Sequence, residues 1–370
     1  MRPGRQCALP SGILAAARSR ALGEAAMKSP RLGLLVACRN EAPVVHRKLE
    51  NLLTLAWPAC ASPPSVVVVD DHSRDGTFEA AASWSARFEE AGLDFLVTRS
   101  EARAGKNGAL EHGLALLADS VDLVFLTDAD VTLDTDALKR MAAAFEKNPR
   151  LGLACGEQVF LESLADAAAR CSAAGAWDLG TAWVRRLESR FGKLFSVHGQ
   201  LLAWRADLRL VPRPGVAADD VDLMLQARGS AAPQVRMVRA ARFFEEKKTA
   251  RSGGREQALR RARAWFQVFA GRPRPAGFGG FDAMQYWAYR YLPGLLPRIA
   301  ILAFAMLLGL GFWFGGYLGV FSAAGLALVL ALTPLGRGCL GCLTTIAMAR
   351  RLERLNAMDE TWETKRLSES

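Results

Sequence analysis

Apolar and polar positions follow a repeating strand-and-helix pattern over the first part of the chain. Four short apolar runs, each of strand length, are separated by segments in which apolar residues recur at helical spacing. The predicted strands are residues 32–37, 65–69, 95–98 and 121–126, and the predicted helices are residues 44–55, 77–91 and 106–118. Strands that are buried on both faces read as continuous apolar runs. The pattern therefore predicts an α/β fold with an open, mostly parallel, Rossmann-like sheet flanked by helices.

The regular alternation ends near residue 151, although helical and strand patterns continue beyond it. We predict helices over residues 164–184, 219–226 and 255–269, and a strand over residues 235–244. Together with the sheet, these elements define a predicted domain over residues 30–275. Residues 1–29 are rich in Arg and Ala and contain no apolar segment of signal-peptide length. We interpret them as a disordered leader, with Met27 as the expected true start.

A long apolar segment near the C-terminus predicts a membrane anchor. Residues 299–336 contain no charged side chain. This segment is long enough for two tightly joined membrane spans with a turn at Gly315-Gly316. We predict a transmembrane hairpin there, and the alternative is a buried helical hairpin. Residues 280–298 carry an aromatic and apolar stripe at helical spacing, so we predict an amphipathic helix in the membrane interface. The alternative is an ordinary amphipathic core helix. Residues 337–370 would form a cytoplasmic tail.

Charge supports this membrane prediction and gives it an orientation. The chain carries a net charge of +10, and arginines lie on both sides of the apolar segment. Because loops rich in Lys and Arg stay in the cytoplasm, we predict a multi-pass protein of the inner or plasma membrane with both ends cytoplasmic. Arginines and aromatic residues do not interleave as in nucleic-acid-binding segments, so we expect no nucleic-acid partner. The seven scattered cysteines indicate a reducing compartment.

Acidic pairs follow two of the predicted strands directly. Asp128-Ala129-Asp130 comes after the fourth strand, and Asp70-Asp71 comes after the second. Ligands of open α/β sheets bind beyond the carboxyl ends of the strands. Two carboxylates at such an end are suitable ligands for Mg²⁺ or Mn²⁺ and a bound diphosphate. The alternative is that these acids are solvated loop and turn residues.

Several short motifs, in this order, together resemble glycosyltransferase family 2. The resemblance covers roughly residues 32–270. The motifs are residues 37–41 (ACRNE), 69–77 (VDDHSRDGT), 105–110 (GKNGAL), 127–130 (TDAD), 199–205 (GQLLAWR) and 218–223 (ADDVDL).

The resemblance implies a GT-A fold for residues 30–275 and an inverting transfer from a nucleoside-diphosphate sugar, with a UDP-sugar expected. Carried over by motif, Asp71 would bind the uracil or ribose and Lys106 would lie near the donor. Asp128 would face the ribose and diphosphate, and Asp130 would ligate a Mg²⁺ or Mn²⁺ ion. Asp220 would be the general base that a direct displacement needs.

One motif of the family is degenerate here. Processive polysaccharide synthases carry Gln-x-x-Arg-Trp near the end of the catalytic domain, whereas this chain has Arg261, Ala264 and Trp265 at the matching positions. We expect Arg261, Arg263 and Trp265 to contact the donor, and the departure from the motif disfavours processive synthesis.

Three functions follow as hypotheses from these patterns. The leading one is transfer of a sugar to an unknown acceptor, expected to be lipid-linked because of the adjacent membrane. The others are a processive synthase of cell envelope polysaccharide and a catalytically inactive, membrane-bound nucleotide-sugar sensor.

Overall fold

A computed structural model describes residues 29–164, 176–246, 254–270, 272–275 and 277–355 of the chain. The chain divides into two compact units. The first comprises Met1–Val159, Arg185–Pro212 and Leu223–Glu245, and the second comprises Phe160–Val184, Arg213–Asp222 and Glu246–Ser370. Met27 and nearly all of the predicted leader lie outside the described residues. The same is true of the first part of the predicted helix at 164–184 and of the end of the predicted tail.

The first unit is built on a sheet that contains eight strands within the described residues, in the order β3-β2-β1-β4-β7-β6-β8-β5. The strands are β1 (Leu32–Cys38), β2 (Ser65–Asp70), β3 (Asp94–Arg99), β4 (Leu123–Thr127), β5 (Thr132–Leu133), β6 (Leu151–Leu161), β7 (Leu201–Arg205) and β8 (Gln234–Glu246). Strands β3, β2, β1 and β4 are parallel to one another. The four apolar runs of the sequence therefore form the parallel half, as predicted.

The other half of the sheet is antiparallel. Strand β7 pairs antiparallel with both β4 and β6, and β5 pairs antiparallel with β8. The α/β fold class is confirmed, with the refinement that the sheet is mixed rather than parallel throughout. The chain leaves the repeating strand-and-helix order after β4, so neighbouring strands no longer need a helical crossover in the same direction.

Five helices lie along the chain between β1 and β6. They are α1 (Ala42–Leu53), α2 (Thr77–Ala82), α3 (Ser85–Glu90), α4 (Lys106–Leu117) and α5 (Ala137–Lys147). The prediction of one helix over residues 77–91 is wrong, because the chain forms two short helices there. Every residue of β1 and β4 is buried. Gly113 lets α4 lie close to the sheet, since a Cβ there would meet Leu35 Cδ1 at 2.3 Å.

The helices α6 (Ala176–Arg190) and α7 (Asp219–Arg228) each contain residues of both units. The second unit also contains α8 (Gly254–Phe269), α9 (Gly280–Leu332) and α10 (Pro334–Leu355). Helix α9 breaks at Gly316, whose φ of 57° and ψ of −142° are not helical. Next to this break the backbones of Gly311 and Gly319 approach each other closely. A Cβ atom added to Gly319 would lie only 1.9 Å from the Gly311 oxygen, so a side chain does not fit there.

The C-terminal helices differ in extent from the predicted segments. The predicted interfacial helix at 280–298 is the first part of α9 and not a separate element, and residues 334–355 are helical where a tail was predicted. Among the described residues, α9 alone is long and apolar enough to cross a membrane. Length and composition thus give one candidate span, the 53-residue α9, and do not by themselves support the predicted multi-pass arrangement. The break at Gly316 coincides with the predicted turn, and the crossing itself stays a prediction.

The stripe at the start of α9 is exposed on one side and packed on the other. Met284, Trp287 and Tyr291 are exposed, whereas Tyr286 is fully buried. The Tyr286 ring lies edge-on to Phe269 of α8, with the ring centroids 5.5 Å apart. The exposed stripe is therefore available to contact a membrane surface, while the opposite side of α9 packs against α8.

Candidate active site

The carboxylate of Asp71 lies at the carboxyl end of the parallel strands and is fully buried. Its Oδ2 accepts a hydrogen bond from Arg39 NH1 at 3.0 Å. The backbone N–H of Gly105 donates to both carboxylate oxygens, at 3.1 and 3.0 Å. Asp71 thus joins the loops that follow β1, β2 and β3. Its burial places it behind Arg39 and Gly105, and its contact with a nucleoside stays a prediction.

Gly105 is required where it stands because of its backbone conformation. Its φ of 109° lies in the region that side chains disfavour, and it directly precedes the first residue of α4. This conformation points the Gly105 N–H at Asp71 and begins a helix with Lys106. The Gly-Lys pair of the sequence motif therefore fixes a donor N–H and a lysine side chain at the same edge of the sheet.

Lys106 contacts the first acid of the Asp128-Ala129-Asp130 triplet, which we call the DAD triplet. Its Nζ lies 3.0 Å from Asp128 Oδ1, and both side chains are partly exposed. Asp130 lies two residues further along the same loop and is half-buried. The structure therefore brings Lys106 to the triplet and, through Gly105, links both to Asp71. These are four of the residues that the sequence predicted for one site.

Two residues of this site carried no predicted role. Arg39 follows β1 directly, and its pairing with Asp71 was not predicted. Lys48 of α1 is buried, and its Nζ donates to Thr127 Oγ1 at 2.7 Å and to the Val131 oxygen at 3.1 Å. A signal for Lys48 existed in the sequence, because it lies on the same helical face as Val45 and Leu52. A lysine on an otherwise apolar face is costly unless it has partners.

Burial lowers the pKa of Lys48 to about 7, from an ordinary value of 10.5. The negative charges of Asp128 and Asp130 act in the opposite direction and favour the protonated form. Desolvation is the larger effect, since an ammonium loses its hydration when it is buried. The amine is therefore poised between its charged and neutral forms near neutral pH.

We expect stability to rise with pH because of Lys48. Between about pH 7 and pH 10.5 the unfolded chain holds a proton that the folded chain has released, so the free energy of unfolding increases with pH. The slope from one group is at most about 1.4 kcal/mol per pH unit. Thermal unfolding in the presence of a chelator should show this slope in the wild type and a reduced slope in Lys48→Met.

The exposed Lys139 of α5 provides the control for this measurement. Lys139→Met should keep the pH dependence of the wild type. An unchanged pH dependence in Lys48→Met would contradict the assignment of a lowered pKa to Lys48.

The DAD triplet suits a divalent cation that is shared with a ligand. The described residues contain no group of three or more His, Cys, Asp or Glu side chains that could hold a metal alone. Mg²⁺ is commonly held by one or two carboxylates while substrate phosphates and water complete its coordination. The carboxylates of Asp128 and Asp130 match that donor set. Because Lys106 pairs with Asp128 Oδ1, this pairing would have to open before that oxygen could bind the cation.

Asp220 lies in the second unit, in the first turn of α7. It is half-buried, and its Oδ1 accepts the N–H of Val221 at 2.8 Å. The acid two residues later is structural. Asp222 is fully buried, accepts Arg213 Nε at 2.7 Å, and also contacts Arg272 NH1. This double pairing fixes the turn that carries Asp220.

The predicted donor-binding residues of α8 serve helix packing in the structure. Arg263 Nε lies 3.4 Å from Glu353 Oε2 of α10, and Trp265 Nε1 donates to the Tyr289 oxygen of α9 at 3.1 Å. Arg261 is exposed, and Ala264 is buried at the position where the processive motif has arginine. The donor contacts of Arg261, Arg263 and Trp265 stay predictions.

Comparison with known proteins connects this site to a family. Residues 34–163 match the model of glycosyl transferase family 2. The poly-beta-1,6-N-acetyl-D-glucosamine synthase of Staphylococcus epidermidis is 31% identical over 125 residues, which is 34% of this chain and 28% of that protein. The beta-monoglucosyldiacylglycerol synthase of a Nostoc species is 30% identical over 118 residues, which is 32% of this chain and 24% of that protein. The matched segment thus spans about a quarter of each relative.

A solved structure extends the similarity to the whole fold. A mannosyltransferase from Pyrobaculum calidifontis, solved in complex with GDP-Man and Mn²⁺, superposes with a TM-score of 0.66 at 22% identity. The match covers 93% of this chain and 94% of that one. At this identity the likeness establishes the GT-A fold and nothing about the substrate.

Proposed function

We propose that the chain, whose residues 34–163 match the model of glycosyl transferase family 2, transfers one sugar from a nucleoside-diphosphate donor to an acceptor hydroxyl. A UDP-sugar is the first donor to test. The observation that carries this proposal is the linked set of Asp71, Lys106 and the DAD triplet at the carboxyl edge of the parallel strands. Ligands of open α/β sheets bind at this edge.

The residues of this edge have distinct roles in the proposed reaction. Asp71 lies on the nucleoside side, where it holds Arg39 and the Gly105 N–H in place. Lys106 pairs with Asp128 of the DAD triplet, and its ammonium group is suited to the donor diphosphate. A bound Mg²⁺ or Mn²⁺ supplies positive charge to the leaving diphosphate. We assign Asp130 as its principal protein ligand and Asp128 as the second.

We assign Asp220 as the general base. Its carboxylate takes the proton of the acceptor hydroxyl while the acceptor oxygen forms a bond to the anomeric carbon of the sugar. The bond from that carbon to the diphosphate breaks, and its electron pair leaves with the diphosphate. One displacement of this kind inverts the anomeric configuration. The pairing of Asp222 with Arg213 and Arg272 holds this turn in place.

A lipid-linked acceptor fits the C-terminal helices best. None of the residues in the most apolar part of α9 is buried. One of the relatives that match the domain is named as a synthase of a glycolipid. We therefore propose that the acceptor lies in or at the membrane and that the catalytic domain faces the cytoplasm.

A donor screen tests the proposed reaction. Purified full-length protein, Mn²⁺ or Mg²⁺, a membrane lipid extract and a panel of nucleotide sugars should release nucleoside diphosphate with one donor and label one lipid fraction. The size of the labelled product distinguishes transfer of a single sugar from polymer synthesis. Binding of a donor without release of diphosphate under all conditions would favour a sensor instead.

We also propose that α9 crosses the membrane as a hairpin that turns at the Gly316 break, with both ends in the cytoplasm. The protein should then resist extraction with carbonate and high salt. Gly315→Cys, placed beside the turn in open space, should react from outside with an impermeant thiol reagent in intact cells. Exposed Cys339, on the other side of the hairpin, serves as the control and should react only after lysis.

Two results would contradict this topology. Release of the protein by salt alone would show a peripheral association. Resistance to extraction together with an inaccessible Gly315→Cys would indicate a loop that enters the membrane and returns without crossing it.

A further inference from the structure

We infer that Lys48 is a positioning residue that holds the DAD triplet in its metal-binding geometry from beneath the sheet edge. This inference rests on the proposed function, because it concerns how the same site is organised. Lys48 does not belong to any of the motifs of the domain, and its side chain is only 1% exposed. It therefore acts through the loop and not by touching a substrate.

The two hydrogen bonds of Lys48 bracket the triplet. Its Nζ donates to the Thr127 hydroxyl on one side of the triplet and to the Val131 carbonyl on the other. The amine of Lys48 thus joins the two ends of the loop that carries Asp128 and Asp130. The middle residue Ala129 is also buried, so the backbone has little freedom once both ends are fixed.

We call the two hydrogen bonds of Lys48 to Thr127 and Val131 the Lys48 clamp. A second side chain of the same helix adds to this clamp. Asn51, three residues after Lys48 and therefore on the same face of α1, contacts the backbone just past the loop. Its Nδ2 donates to the Leu133 oxygen at 3.0 Å, and its Oδ1 accepts the Leu133 N–H at 2.8 Å. Helix α1 thus fixes the chain from Thr127 to Leu133 through polar side chains.

A packing role alone does not explain a lysine at this position. Its neighbours on the buried face of α1 are Val45, Leu49 and Leu52, and an apolar side chain there would avoid the cost of burying an amine. Groups that support metal ligands without touching the metal commonly determine its affinity.

The test compares Lys48→Met with Leu49→Ala in the full-length protein. Leu49 is its neighbour on α1 and is fully buried, so Leu49→Ala removes more packing than Lys48→Met while keeping both hydrogen bonds of Lys48. Hydrogen exchange of a peptide covering residues 127–131 reports the clamp. The loss of the free Mn²⁺ signal in electron paramagnetic resonance, with and without UDP or GDP, reports metal affinity without requiring turnover.

We expect faster exchange of this peptide in Lys48→Met and Mn²⁺ affinity weakened by about 10- to 100-fold, the range for outer partners of metal sites. Leu49→Ala should lower the melting temperature at least as much while leaving Mn²⁺ affinity near that of the wild type. Thr127→Val should reproduce part of the loss, and Thr127→Ser, which keeps the hydroxyl, should restore it.

Three results would overturn the inference, and they differ in what they say of the proposed function. Wild-type affinity and exchange in Lys48→Met, in a protein that binds Mn²⁺ and turns over a donor, would remove the role of Lys48 alone. Equal loss of affinity in Leu49→Ala would reduce Lys48 to a packing residue. A wild type that neither binds Mn²⁺ nor turns over any donor would remove the proposed function, and this inference with it.

Discussion

Asp130→Asn is expected to abolish most transferase activity at a fixed metal concentration while the fold survives. The amide keeps the size of the side chain but loses the charge that a hard divalent cation prefers in its oxygen ligands. Loss of a direct ligand should exceed the roughly 10- to 100-fold effect typical of outer partners. Because Asp130 is half-buried in a loop at the end of a strand, the melting temperature should change little.

Titration of activity with Mn²⁺ at saturating donor checks this expectation. Asp136→Asn is the control, because it makes the same change six residues further along the chain. The side chain of Asp136 pairs with Arg140 and does not belong to the DAD triplet. We expect the control to keep wild-type activity. Near-normal activity of Asp130→Asn at saturating donor would remove Asp130 from the metal site.

The parallel half of the fold and its acidic edge could be predicted from the sequence for local reasons. Strands buried on both faces leave unbroken apolar runs, and each acidic group follows its strand directly in the chain. The rule that parallel strands end at the same edge of the sheet was therefore sufficient to predict the location of Asp71 and the DAD triplet. Lys106 was located by its motif, and the structure adds its contact with Asp128.

Contacts between distant parts of the chain could not be read in the same way. Lys48 and Thr127 are separated by 79 residues, and nothing near either one indicates the other. Strand β7 pairs with β4 and β6 in antiparallel register, which depends on the path of the chain and not on apolar pattern. The packing of Trp265 and Arg263 against α9 and α10 likewise depends on helices that follow them in the chain.

Asp220→Asn should lower kcat by about 100-fold or more, which is the usual contribution of a positioned general base. Donor affinity should change little, because the proposed role concerns the acceptor proton only. The half-buried Asp220 accepts the N–H of Val221 in its own turn, and the side-chain oxygen of Asn can accept the same hydrogen bond, so the melting temperature should stay close to that of the wild type.

Asp222→Asn separates the base from its support in this experiment. Asp222 is fully buried between Arg213 and Arg272, and removing one charge of a buried pair commonly costs about 3–5 kcal/mol of stability. We therefore expect Asp222→Asn to lose melting temperature, and Asp220→Asn to lose kcat without it. Donor binding is measured by titration with the identified nucleotide sugar. If donor binding collapses in Asp220→Asn, this residue binds the donor, and Asp219 is the next acid to test as the base.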